Sequence, residues 1–89
     1  MKRPYLEVTF RKGRPIAAYL YLPRQSGVKS ARTVEVRPHI LVDYAATGEP
    51  IGIELTAPSG VDLSSINEVL SAAGAPGLDC EDLAPLHAA

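Results

Sequence analysis

Five short stretches of alternating apolar and polar residues, each closed by a turn signal, commit this chain to a β-sheet. YLEVTF (5–10) and IAAYLYL (16–22) flank RKGRP, whose Gly13 and Pro15 mark a hairpin turn. LPRQSGVKSA is a loop by composition, and ARTVEVR (31–37) is a third strand. It ends at Arg37-Pro38, because proline lacks an N–H and restricts the residue before it. ILVDY and PIGIEL are two further strands joined at AATGE, where Gly48 can take the positive φ that a short connection demands.

Successive strand side chains point to opposite faces. One face therefore collects Leu6, Val8, Phe10, Ile16, Ala18, Leu20, Leu22, Val34, Val36, Ile40, Val42, Ile51, Ile53 and Leu55. The other shows Tyr5, Glu7, Thr9, Tyr19, Tyr21, Thr33, Glu35, Asp43 and Glu54. A one-residue slip at the Pro38 corner would exchange the faces of the strands around it.

VDLSSINEVLSAAG has helical period, with Leu63, Ile66, Val69 and Leu70 on one stripe. Asp62 or Ser64 suits the N-cap, Ser65 and Glu68 have capping-box spacing, and Gly74 stands where a left-handed C′ residue belongs. Ordering about eleven backbones costs roughly 1 to 2 kcal/mol each, so the helix forms docked, on the apolar sheet face. The expected fold is α+β: an antiparallel β-meander sheet of four to five strands with one C-terminal helix packed on one face. Residues 1–74 form the single domain, and residues 75–89, with two prolines and no sustained period, form a mobile tail.

With 89 residues there is room for one domain, and an apolar share of 46% against 21% charged is ordinary for a folded globular chain. No apolar run approaches the roughly 18 residues that cross a bilayer, and MKRPYLEVTF lacks a signal-peptide apolar region, so the expected location is cytoplasmic. The single cysteine, Cys80, agrees with a reducing compartment.

Charge is distributed unevenly. All nine lysines and arginines lie in the first 37 positions, opposed there by Glu7 and Glu35, whereas the eight acids from Asp43 onward have no basic neighbour in sequence. Arg11, Lys12, Arg14, Arg24 and Lys29 form a candidate basic patch for phosphates. The hairpin reading places the Arg11–Arg14 turn and the loop carrying Arg24 and Lys29 at opposite ends of the sheet, which argues against a continuous stripe.

VDYAATGEPIGIEL resembles the signature of the YuzE-like family of small bacterial proteins, a domain-of-unknown-function family (DUF 2283), with a V-D-Y-D-x-x-G-x-x-x-G-I-E-I pattern after a tyrosine-bearing strand. Asp43, Tyr44, Gly48, Gly52, Ile53 and Glu54 match that pattern, and Ala17, Tyr19 and Leu22 match the preceding strand loosely. Where the family usually has acids this chain has Arg11, Ile16 and Ala45, so an acidic site formed by those positions in relatives is incomplete here. The resemblance implies an α+β fold without an assigned activity. Neighbouring toxin-like genes in some members suggest an antitoxin-like role by association.

Asp43 and Glu54 share the polar face and are the one candidate acid–base or metal pair. Two carboxylates are too few for a metal, and cross-strand polar residues are the simpler account. Tyr5, Tyr19 and Tyr21 with Thr33 form a candidate interface opposite the helix, since tyrosine joins a large apolar ring to a hydrogen-bonding tip. His39 and His87 are isolated, and the acidic neighbours of Cys80 disfavour a thiolate. The expected function is a non-enzymatic protein-interaction module without a cofactor, either a homodimer or an antitoxin-like partner of a small basic protein. The alternative is a small-molecule, metal or RNA-binding protein.

Overall fold

Tight turns set the strand pairs. In a computed structural model describing residues 4–23, 27–75 and 77–84, β1 (Tyr5–Arg11) and β2 (Arg14–Tyr21) are joined by Lys12 and Gly13, with φ of 52° and 77°. Two consecutive positive φ angles belong to the type I′ turn, whose twist matches that of the strands it connects. Pro38 and His39 turn β3 (Arg32–Arg37) into β4 (Ile40–Tyr44), with proline followed by a left-handed residue, His39 at φ 67°. Between β4 and β5 (Pro50–Leu55), the Gly48 amide donates to Ala45 O at 2.9 Å and the Ala45 amide to Glu49 O at 2.8 Å, with Gly48 at φ 90°.

All pairs are antiparallel and the order is β1-β2-β5-β4-β3. β3, β4 and β5 run as a meander, and the β1–β2 hairpin joins them through β2 and β5. Burial explains why β5 rather than β3 lies beside β2. Ile51, Gly52, Ile53 and Leu55 are all buried, whereas β3 is exposed along all but its last residue and takes an edge. The Pro38 corner keeps the expected faces, with Val34 opposite Val42 and Thr33 opposite Asp43, and the register shifts between Glu35 and Arg37.

The apolar face packs beneath a helical layer. Ala18, Leu20, Leu22, Ile40, Val42, Ile53 and Leu55 meet Ile66, Val69 and Leu70 of α1 (Leu63–Ala72) in one core. Each large side chain buried there contributes about 1.5–3 kcal/mol. Phe10, Ile16, Val34 and Val36, expected on this face, are 37–48% exposed because they lie on the edge strand or near the β1–β2 turn. A 3-10 turn, Pro58–Gly60, adjoins β2, and a second, Cys80–Leu83, adjoins β1.

α1 is closed at both ends. The Asp62 carboxylate accepts the Ser65 amide at 2.7 Å, so Asp62 is the N-cap. Glu68, expected in a capping box with Ser65, pairs with Arg37 of β3 at 2.5 Å. At the other end the Gly74 amide donates to Ser71 O and the Ala75 amide to Leu70 O, with Gly74 at φ 78°, a Schellman closure.

The Ser65 amide, and secondarily the Ser65 hydroxyl, hold the Asp62 carboxyl below its ordinary value, with Arg37 adding a smaller pull. A carboxyl depressed in the folded state stabilises above its unfolded pKa, and that contribution is lost as pH falls through the folded one. Asp62→Asn keeps an N-capping oxygen without the titration. Its melting temperature is expected to fall less between pH 5 and pH 2 than that of the wild type, and parallel acid limbs would refute the assignment.

Contacts with the domain continue beyond Gly74 at Leu78. Leu78 is 6% exposed within the core, and Asn67 holds its backbone twice, accepting from the Leu78 amide at 2.7 Å and donating to its carbonyl at 3.1 Å. Leu78 makes these contacts within the segment expected to be a mobile tail, and residues 85–89, with His87, lie outside the described residues. No described helix is long and apolar enough to cross a membrane.

Candidate functional site: the outer face of the sheet

The sheet face away from α1 is built in two lateral rows that the register aligns across all five strands. Tyr5, Tyr21, Gly52, Asp43 and Thr33 stand opposite one another in the first row, and Glu7, Tyr19, Glu54, Leu41 and Glu35 in the second.

The first row is tied together by Tyr19, which leaves its own row. Its ring lies across Gly52, where any Cβ would overlap the phenol, and its hydroxyl donates to Asp43 Oδ2 at 2.6 Å. Thr33 Oγ1 donates to Asp43 Oδ1. Gly52 is therefore needed for the space above its Cα, because a side chain there would separate Tyr19 of β2 from Asp43 of β4. On the other side, the Tyr19 and Tyr21 ring centroids are 4.7 Å apart and those of Tyr21 and Tyr5 5.7 Å, both tilted, as aromatic quadrupoles prefer. One continuous rib, Tyr5–Tyr21–Tyr19–Asp43–Thr33, spans the five strands. Tyr5, at 57% exposure, is the most open of its three rings.

The candidate residues separate accordingly. Tyr5, Tyr19, Tyr21 and Thr33 are brought together as the interface reading requires. Asp43 and Glu54 share the face but not a row, and both Asp43 oxygens are engaged by hydroxyls. Asp43 therefore acts as the acceptor that fixes Tyr19. Among the described residues no group of three His, Cys, Asp or Glu side chains could hold a metal ion. Of the remaining signature positions, Gly48 makes the β4–β5 turn, Glu54 is exposed, and Tyr44 packs against the core with Arg32 over its ring at 4.8 Å.

The candidate basic patch stays divided. Arg11, Lys12 and Arg14 sit at the β1–β2 turn, Lys29 precedes β3 beyond the opposite end of β2, and Arg24 lies outside the described residues. Sequence reasoning placed Glu7 and Glu35 on the polar face but missed that they align with Glu54 and Leu41. That alignment follows from the strand order.

Residues 17–57 match the family model described as "Protein of unknown function (DUF2283)". The matched segment runs from β2 to just past β5 and contains Tyr19, Asp43, Tyr44, Gly48, Gly52 and Glu54. The Tyr19–Gly52–Asp43 arrangement lies wholly within it. No curated protein and no solved structure matches the chain.

Proposed function

We propose that this chain, with its DUF2283 segment, is a non-enzymatic protein-interaction module whose contact surface is the outer face of the sheet. The observation that carries the reading is the tyrosine rib. It offers large, amphipathic rings already held by Asp43 and by one another, so little side-chain freedom remains to be lost on binding. Such rings are the side chains most enriched among interface hot spots. The opposite face is occupied by the protein's own helical layer.

Tyr5→Ala provides the test, because an exposed ring at the margin of the rib supports binding more than folding. We expect it to change stability by no more than about 0.5 kcal/mol, while sharply reducing the yield of a stoichiometric protein partner captured by the full-length chain from its own cells. Glu81→Gln, away from the face, should capture as the wild type does. Equal capture by all three proteins would refute the reading, as would copurification of a small molecule or RNA in place of a protein.

A further inference from the structure

We infer that the partner meets the outer face with cationic side chains, arginine above all, and is not a second copy of this chain. The inference rests on the outer face being the contact surface, and it follows from what the two rows contain. Four of their ten residues are carboxylates, Glu7, Glu54, Glu35 and Asp43, and none is lysine, arginine or histidine. Asp43 is already engaged on both oxygens. The other three are exposed and stand on alternate strands of one row, β1, β5 and β3. Two inter-strand spacings separate neighbours, roughly 10 Å.

Each of these carboxylates has an aromatic or apolar neighbour. Glu7 lies against Tyr21, whose hydroxyl approaches its Oε1 at 3.5 Å, Glu54 is flanked by Tyr19 and Leu41, and Glu35 stands beside Leu41. A carboxylate next to a tyrosine face suits a guanidinium, which pairs with the acid through its fork and stacks its plane on the ring. A lysine would satisfy the charge alone. Self-docking about a two-fold axis would set these rows against themselves, bringing like charges together with no base among their ten residues to compensate them. The chain's own described turn and loop cations, Arg11, Lys12, Arg14 and Lys29, lie off the rows.

The test titrates the full-length chain with an arginine nonapeptide and with a glutamate nonapeptide, following backbone and tyrosine resonances. The arginine peptide is expected to shift Tyr5, Glu7, Tyr21 and Glu54 saturably. The Glu7→Gln, Glu54→Gln double variant should weaken it by at least about tenfold, as for loss of charge-assisted pairs. The Glu49→Gln, Glu81→Gln double variant makes the same change in net charge away from the face and should bind as the wild type does. Equal weakening in both variants would overturn the inference by reducing it to net charge, and so would shifts confined to other surfaces. A protein partner mapped to this face through neutral or acidic contacts, or a dimer formed through it, would overturn the cationic inference and leave the proposed function standing. A partner mapped elsewhere would remove both.

Discussion

Gly52→Ala is expected to destabilise the protein by about 1–2 kcal/mol, and the same substitution made in a Tyr19→Ala background to be neutral or slightly stabilising. An added Cβ would overlap the Tyr19 phenol, so the ring must leave and its hydrogen bond to Asp43 is lost. A hydrogen bond to a charged acceptor contributes roughly 1.5–3 kcal/mol. Replacing glycine inside a strand returns about 0.5–1 kcal/mol through the unfolded chain, which leaves the stated balance. Without the Tyr19 ring the three atoms nearest that Cβ are gone, and the favourable part is expected to prevail. Denaturant unfolding of the four proteins in the cycle measures the coupling directly. An equal cost in both backgrounds would show that Gly52 serves some other purpose, such as backbone conformation.

That cycle also marks where reading the sequence stops. Alternation alone places Tyr19, Asp43 and Gly52 on one face, because strand side chains have period 2 whatever the strand order. Gly52 nevertheless reads as a small residue without a reason, since its reason is a ring on β2, which is distant in sequence and adjacent in the sheet only because β5 displaces β3 from that place. Local hairpins were legible from Gly13, Pro38 and Gly48, whose backbone preferences act within a few residues. The β2–β5 pairing was not, because it depends on which strands bury both faces. The acidic row follows the same division: Glu7, Glu35 and Glu54 were each assigned to the correct face, but their alignment required the order.

The chain beyond α1 yields the second large effect. Removing residues 75–89 is expected to cost roughly 3–5 kcal/mol, where a mobile tail would cost nothing measurable. Burial of one leucine accounts for about 1.5–3 kcal/mol, and the pair of hydrogen bonds between Asn67 and the Leu78 backbone adds on the order of 1 kcal/mol each. Composition concealed this anchor because it is a single apolar residue flanked by Gly77 and Asp79, too short to show a period. Gly77 packs against Asn67, so the side chain that holds Leu78 also fits the path of the chain before it. Leu78→Ala in the full-length chain separates the two contributions. It should cost about 2–4 kcal/mol by leaving a cavity, while keeping the Asn67 bonds, which are made to backbone atoms. If Leu78→Ala unfolds at the same denaturant midpoint as the wild type, the side chain contributes no burial energy, and any effect of the truncation belongs to the backbone bonds or to the Cys80–Leu83 turn against β1.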